Sequence, residues 1–347
     1  MQYRSLWAIL AMCVGVIGTL PTCSIAETTY RRPLIEHPRE DFAVDHVKDV
    51  GYYDGPRLDR TRHKLDLYIP RGRTDFPVVM LVLGGAWLFG NNRWCGLYSS
   101  VGECLASKGI GVVMPNYRLS PAVKHPEHIR DIARAFAWTH SNIASHGGDT
   151  KQLFLVGHSA GGHLVSLLAT DEQYLKAEGR RSADIRGVVS LSGAYSIPPG
   201  RIDLHLFGSS PDSLRLTAFA PFRGESDPQR KRLFNGPGLP IRLNTLSLVF
   251  GNSEAARRAA SPVSHVRPGL PPFLLMVAGN DLPMLPDMAE EMHRTLLANR
   301  CQSQLIKIGR RNHNMLMFEA ANPDDYVAQA IMQFVRENSV QSRTEIK

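Results

Sequence analysis

One hexapeptide constrains the fold more than any other part of this chain: Gly157-His158-Ser159-Ala160-Gly161-Gly162. An apolar run, residues 153–156, precedes it, and a helix-like run begins at His163. A strand, a tight turn and a helix therefore meet at Ser159, and G-x-S-x-G in that setting is typical of a nucleophile elbow. The alternative is a serine that merely caps a helix after a glycine-rich turn. The elbow interpretation places the Ser159 hydroxyl above the end of a strand, at a helix N-terminus.

Strand-like and helix-like segments alternate along most of the chain. Two predicted strands, residues 47–52 and 64–69, come first and pair antiparallel. The later alternation predicts an α/β fold: a mostly parallel, twisted sheet with helices on both faces. Binding sites in such sheets form at the carboxyl ends of the strands. The further predicted strands are 77–83, 110–114, 153–156, 186–191, 273–278 and 304–308, and the main predicted helices are 97–108, 127–146, 285–298 and 324–337.

Residues 198–247 break this alternation. They hold seven prolines and show no long hydrophobic period. We interpret them as a cap-like insertion in a single α/β domain that covers residues 45–338. Residues 27–44 are predicted to be an irregular lead-in, and residues 339–347 a frayed tail. The apolar side chains of the insertion would line a substrate pocket.

The N-terminal 26 residues have the organisation of an export signal peptide. Arg4 supplies the positive charge, residues 6–20 form an apolar stretch, and residues 24–26 offer small side chains for cleavage. The apolar stretch is short for a membrane span. Cys23 offers lipoprotein anchoring as an alternative, although the residues before it fit a lipobox poorly. We expect a secreted or periplasmic protein without a membrane span once the signal is removed.

The charged residues and cysteines exclude some function classes. The formal charge is +8, but the basic residues are scattered, so nucleic acid is not an expected partner. No cysteine or histidine spacing resembles a metal site, and we expect neither a metal nor a cofactor. Cys95 and Cys104 are the closest cysteine pair outside the signal, but sequence cannot decide whether they form a disulfide. The oligomeric state is also left open.

A serine hydroxyl is a weak nucleophile at neutral pH, so Ser159 needs a base. In proteins with a nucleophile elbow the chain order is serine, then an acid, then histidine. His313 lies in a polar loop after the last predicted strand, and Asp281 directly follows the strand before it. An ionised Asp281 would fix the tautomer of His313 and stabilise the imidazolium. Asp287, six residues further on, is the alternative acid.

Attack on a carbonyl also requires hydrogen-bond donors for the oxyanion. The N–H of Ala160, directly after the serine, is one predicted donor. The loop of residues 83–87, Leu-Gly-Gly-Ala-Trp, should supply others through Gly85 and Ala86. Glycine there would let the backbone approach the substrate carbonyl closely. The alternative is an ordinary glycine turn.

These motifs together resemble the α/β-hydrolase superfamily, in the branch of hormone-sensitive-lipase-like and bacterial carboxylesterases. The hexapeptide around Ser159 matches the elbow of that branch, and residues 116–121, Asn-Tyr-Arg-Leu-Ser-Pro, resemble its Y-R-L-[SA]-P segment. Residues 260–266 resemble the approach to its acid-bearing strand. The resemblance covers residues 45–338 apart from most of the insertion. It implies that Asp281 and His313 occupy the acid and base positions.

The oxyanion loop departs from the family pattern, which usually reads His-Gly-Gly-Gly-Trp. Leu83 replaces the histidine and so removes a polar side chain that would help to hold the loop. Ala86 replaces the third glycine but keeps an N–H, so this change is mild provided that the φ angle of Ala86 is negative. Loss of one donor's alignment can lower the rate by roughly 10²-fold or more.

The sequence thus predicts a serine hydrolase that cleaves small-molecule carboxylic esters through an acyl-enzyme. One alternative is a catalytically impaired, hydrolase-like binding protein, which Leu83 weakly favours. Another is amide or peptide cleavage with the same catalytic groups. The acyl and alcohol specificity cannot be read from the sequence.

Overall fold

The computed structural model describes residues 41–93, 96–198 and 241–339, and the strands at 203–207 and 215–219; side chains between 199 and 244 are excluded. The predicted export signal, Cys95 and residues 340–347 lie outside this description, so the interpretations that rest on them stay predictions. Cys104 is buried and forms no disulfide with another described cysteine. Within the described part, no helix has the length and apolar character that crossing a membrane requires.

The strands follow the predicted succession, with ends that differ by a few residues. The largest difference between an observed and a predicted strand is at the strand before Ser159, which starts five residues earlier than predicted. The strands are β1 (Val44–Gly51), β2 (Lys64–Pro70), β3 (Phe76–Val82), β4 (Gly111–Pro115), β5 (Gly148–His158), β6 (Gly187–Leu191), β7 (Asp203–Phe207), β8 (Arg215–Phe219), β9 (Ile241–Asn244), β10 (Phe273–Asn280) and β11 (Ser303–Asn312).

Eight of these strands form the main sheet, in the spatial order β1-β2-β4-β3-β5-β6-β10-β11. β1 pairs antiparallel with β2, and β2 pairs antiparallel with β4, whereas all later neighbours are parallel. Every residue of β4 and β6 is buried. Continuous apolar strands of this kind are typical of a parallel sheet covered on both faces. The predicted fold class is confirmed.

The helices are α1 (Leu97–Ser107), α2 (Glu127–Asn142), α3 (Ala160–Thr170), α4 (Gln173–Ala177), α5 (Thr245–Phe250), α6 (Glu254–Ala259), α7 (Leu285–Ala298), α8 (Met315–Phe318) and α9 (Tyr326–Asn338). α7 has the predicted bounds. The helix predicted over 127–146 instead ends at Asn142 and continues as a 3₁₀ turn, Ile143–His146. Gly147 closes that turn in the left-handed region, with φ 86°.

Residues 201–245 belong to a unit separate from that of the main sheet. Within this unit β8, β7 and β9 form a small antiparallel sheet in that order. The interpretation of residues 198–247 as a cap-like insertion stays a prediction, because most of them lie outside the described residues. Its predicted role in lining a substrate pocket stays a prediction.

The register of the main sheet places the ends of five strands in one row. Val82 of β3 pairs with Gly157 of β5, and His158 pairs with Leu191 of β6. Asn280 of β10 pairs with Asn312 of β11. The residues that directly follow these strands therefore lie along one edge: Leu83, Ser159, Ser192, Asp281 and His313.

Candidate active site

Ser159 occupies the turn between β5 and α3 in a strained backbone conformation, with φ 56° and ψ −118°. Its N–H donates a hydrogen bond to the carbonyl oxygen of Leu191 on the neighbouring strand, at 2.8 Å. A Cβ atom on Gly161 would lie 2.0 Å from the carbonyl oxygen of Val82, and one on Gly157 would lie 2.4 Å from that of Gly161. No side chain fits at those distances. The geometry is that of the predicted nucleophile elbow.

His313 lies directly against the serine. Its Nε2 is 2.9 Å from the Oγ of Ser159, which is hydrogen-bond distance. The residue is in the short loop between β11 and α8, and only 13% of its side chain is exposed. A proton can therefore pass between the hydroxyl and the imidazole without an intervening water molecule.

Asp281 completes the chain of hydrogen bonds from the other side of the imidazole. Its Oδ1 is 2.7 Å from Nδ1 of His313, and its side chain is fully buried. Oδ2 accepts hydrogen bonds from the Ser192 hydroxyl and from the N–H of Ala278. Burial alone would raise the pKa of Asp281, but the hydrogen bonds from His313 and Ser192 and the charge of the imidazolium hold that pKa below its usual range. Asp281 is thus ionised at neutral pH.

The alternative acid is in a different setting. Asp287 lies in the first turn of α7, where its side chain is exposed. No hydrogen bond between Asp287 and His313 occurs among the described residues, whereas Asp281 makes one. The structure therefore brings Ser159, His313 and Asp281 together.

A second, fully buried network connects the histidine loop with the loop of residues 83–87. The N–H of Gly84 donates to the Tyr98 hydroxyl at 2.9 Å, and that hydroxyl lies 2.9 Å from Nδ1 of His158. Nε2 of His158 lies 2.9 Å from the carbonyl oxygen of His313. Burial, helped by the charge of His313, lowers the pKa of His158 to about 3.

A neutral His158 satisfies every partner in this network. Its Nε2–H donates to the His313 carbonyl, which leaves Nδ1 to accept the Tyr98 hydroxyl proton. The Tyr98 oxygen can then accept from Gly84. A single imidazole next to the serine thus fixes the backbone of His313 relative to that of Gly84.

The loop of residues 83–87 is held by contacts other than the side chain at position 83. Leu83 is 1% exposed, and its carbonyl oxygen accepts a hydrogen bond from the Tyr117 hydroxyl at 3.2 Å. The indole N–H of Trp87 donates to Nδ1 of His163 at 3.2 Å, and the ring packs edge-on against Phe250. Hydrogen bonds of the Leu83 carbonyl and the Trp87 indole thus hold the loop without a polar side chain at position 83.

The condition placed on Ala86 is not met. Its φ is 52°, and the φ angles of Gly85 and Trp87 are also positive, at 113° and 60°. The N–H groups of Leu88 and Phe89 both bond to the carbonyl oxygen of Gly85, and this tight turn forces the chain into the left-handed region. Alanine pays a steric cost there that glycine does not. The roles of the N–H groups of Gly85, Ala86 and Ala160 as oxyanion donors stay predictions.

Two side chains of the site carry no sequence motif, Tyr98 and Ser192, whereas Tyr117 is the tyrosine of the Y-R-L-[SA]-P segment. Ser192 could have been found, because it directly follows β6 at the same edge as the acid. Tyr98 lies on α1, and nothing in its local sequence separates it from core residues. Among the described residues, no group of three or more histidine, cysteine, aspartate or glutamate side chains could hold a metal ion.

Comparison with known proteins agrees with this geometry. The BD-FAE family model matches residues 65–198, which hold the elbow and the loop of residues 83–87. The chain is 36% identical over 160 residues to a probable isoprenylcysteine alpha-carbonyl methylesterase of rice, which covers 46% of this chain and 36% of that protein. It is 30% identical over 262 residues to esterase LipQ of Mycobacterium tuberculosis, which covers 73% of this chain and 53% of LipQ.

In sequence and in fold the chain is similar to carboxylesterase-like α/β-hydrolases. A truncated carbohydrate esterase from gut microbiota shares the fold with a TM-score of 0.65 and 16% identity, over 88% of this chain and 99% of that one. Esterase B of Lactobacillus rhamnosis superposes with a TM-score of 0.60 and 21% identity, over 87% of this chain and 86% of that one. The α/β-hydrolase chain spans 33% to 54% of the length of the curated relatives it matches.

The left-handed conformation of Ala86 predicts that Ala86→Gly stabilises this α/β-hydrolase. Relief of the left-handed strain, about 1–2 kcal/mol, exceeds the entropy cost of glycine, about 0.5–1 kcal/mol. The free energy of unfolding, measured by urea denaturation, should therefore rise by about 0.5–1 kcal/mol.

Ala255→Gly is the matched control, because Ala255 is exposed within α6 and has no positive φ angle. It should lower the free energy of unfolding by about 0.5–1 kcal/mol. Equal losses in both variants would show that Ala86 is not held in the left-handed region.

The buried network predicts a large stability loss for Tyr98→Phe. Without the hydroxyl, the N–H of Gly84 and Nδ1 of His158 are both left unsatisfied in the core, so unfolding should become easier by about 2 kcal/mol. Tyr53→Phe removes a comparable hydroxyl that donates to the Pro56 carbonyl at an exposed site. Its loss should cost about 0.5 kcal/mol or less. If urea denaturation gives the same small change for both, the network does not fix the loop.

Proposed function

We propose that the chain hydrolyses carboxylic esters by a serine mechanism with an acyl-enzyme intermediate. The observation that carries this proposal is the unbroken hydrogen-bond chain from Ser159 through His313 to the buried Asp281. The names of the matched relatives, which describe esterases and methylesterases, support ester chemistry.

The first step is attack on the ester carbonyl. The Oγ of Ser159 approaches the carbon while Nε2 of His313 takes the hydroxyl proton. The imidazole can accept at Nε2 only if its proton is on Nδ1, and Asp281 selects that tautomer by accepting from Nδ1–H at 2.7 Å. The ionised carboxylate also stabilises the imidazolium as it forms.

The tetrahedral intermediate carries a negative oxygen that needs donors. The N–H of Ala160 is at the N-terminus of α3, where the helix dipole also favours negative charge. In this proposal the N–H groups of Gly85 and Ala86 complete the oxyanion hole. His313 then returns its proton to the leaving alcohol, and water hydrolyses the acyl-enzyme by the same route.

Ser159 should be the site of covalent labelling. A small 4-nitrophenyl ester should be turned over, and an organophosphonate should stop turnover by adding one adduct, which peptide mass spectrometry should map to Ser159. Ser159→Ala should lower turnover about 10⁴-fold or more. Ser100→Ala, which changes an exposed serine of α1, should retain labelling and turnover. Folded protein that neither turns over esters nor takes up the phosphonate would instead favour a binding protein.

The two candidate acids give a paired test. Asp281→Asn should lower kcat about 10⁴-fold, because the amide cannot hold His313 in the reactive tautomer. Asp287→Asn should leave kcat within about twofold, since the exposed side chain affects the site only through screened charge. Steady-state kinetics on the same ester measure both. A reversed order of the two effects would transfer the role of acid to Asp287.

A further inference from the structure

A cavity of about 720 Å³ opens beside the loop of residues 83–87, at the same sheet edge as Ser159. Leu88, which follows the loop directly, forms part of its wall. The N–H of Ser120 donates to the Trp87 carbonyl at 2.9 Å, and Nη1 of Arg62 donates to the Gly90 carbonyl at 2.7 Å. The cavity walls are therefore attached to the loop on two sides.

Four of the residues that line this cavity are arginines, and one is an aspartate, Asp59. We call the cavity the arginine pocket. Oδ1 of Asp59 accepts hydrogen bonds from the backbone N–H groups of Thr61 and Arg62, so this carboxylate oxygen is bonded within the turn that contains it. The four arginines are Arg57, Arg60, Arg62 and Arg118.

The four arginines are not equivalent. Arg118 is engaged by Asp131 at 2.7 Å and by Glu127 at 2.8 Å, so it forms a fixed wall. Arg57 and Arg60 are exposed, and neither has a carboxylate partner within the described part of the chain. Arg62 uses Nη1 on a backbone carbonyl and forms no ion pair with a described carboxylate. Three guanidinium groups thus keep donors for a ligand.

Guanidinium groups match an oxyanion such as a carboxylate or a phosphate, because their N–H donors form a planar fork that binds two oxygens. The aliphatic residues of the wall, including Leu58, Leu88 and Leu119, can cover an apolar stem that leads to such a group. The pocket therefore fits a molecule that has an apolar chain and an anionic end.

The sheet order places the pocket relative to the reacting atoms. Leu65 of β2 pairs with Pro115 of β4, so the turn before β2 and the loop after β4 are at the edge that holds Ser159. β4 is two strands from β5 in the sheet, which is roughly 10 Å at the usual strand spacing. The leaving alcohol must be on the opposite side of Ser159, where His313 delivers its proton.

We propose that the arginine pocket holds an anionic group at the far end of the acyl chain, so that the preferred substrates are esters of acids with a second, charged terminus. This inference rests on the proposed function, because it specifies the substrate class of the same site. Arg57, Arg60 and Arg62 lie outside the motifs described in the sequence analysis.

The test compares matched esters. The 4-nitrophenyl hemiesters of dicarboxylic acids with four to ten carbons carry the charge on the acyl side, and 4-nitrophenyl alkanoates of equal length are the neutral partners. Hemiesters with a terminal phosphonate distinguish phosphate from carboxylate. 4-Carboxyphenyl butyrate against phenyl butyrate places the charge on the alcohol side. The quantity compared is the ratio of kcat/KM for the charged ester to that for its neutral partner.

In the unaltered protein we expect this ratio to rise with acyl length, up to about tenfold. In the double variant Arg57→Gln/Arg60→Gln the ratio should fall about tenfold, through a higher KM for the charged ester. Arg294→Gln, an exposed arginine on α7, should leave the ratio unchanged. A ratio that is the same in all three proteins would overturn the inference, as would a charge preference confined to the alcohol side.

Failure of the proposed function would look different, because then no neutral ester is hydrolysed. In that case calorimetric titration of the Ser159→Ala protein with octanedioate and with inorganic phosphate tests the pocket directly. Binding that weakens about tenfold in the double arginine variant supports the pocket, and binding that is absent or unaffected overturns it.

Discussion

The strained turn at Ser159 is the constraint on which the rest of the structure depends. A non-glycine residue at φ 56° costs on the order of 1–3 kcal/mol and persists only where its surroundings enforce it. Here β3 and β6 fix the turn from its two sides. The Val82 carbonyl lies so close to Gly161 that no side chain fits there, and the Leu191 carbonyl accepts a hydrogen bond from the serine N–H. Ser159 is thus positioned by the parallel sheet itself.

The same sheet explains why much of the site could be predicted. Ser159, Asp281 and His313 each directly follow a strand, and parallel strands end at one edge. A reading of apolar runs and the residues that follow them is therefore enough to gather these three, although up to 154 positions separate them. The eight-strand order and the register are consistent with the predicted alternation of strands and helices. That alternation is visible in the sequence because strands buried in a parallel sheet are continuously apolar.

The parts that sequence could not supply depend on contacts between distant segments. The elbow motif identifies His158 only as a neighbour of the serine in sequence. Its connection to Gly84 depends on the Tyr98 hydroxyl from α1, which hydrogen-bonds to both residues. The positive φ angle of Ala86 likewise results from the turn in which the N–H groups of Leu88 and Phe89 bond to the Gly85 carbonyl. The conformational preferences of alanine do not indicate such an angle.

The charges along the sheet edge alternate in a way that separates binding from chemistry. In the proposed mechanism the buried Asp281, which lies at hydrogen-bond distance from His313, faces the imidazolium that develops as Ser159 attacks. The exposed arginines precede β2, which is three strands from β5, or roughly 15 Å along the edge at the usual strand spacing. The Debye length is about 8 Å at physiological ionic strength, so Arg57 and Arg60 are largely screened from the oxyanion. Their charge can therefore affect which substrate is held, but not how fast the bound ester reacts.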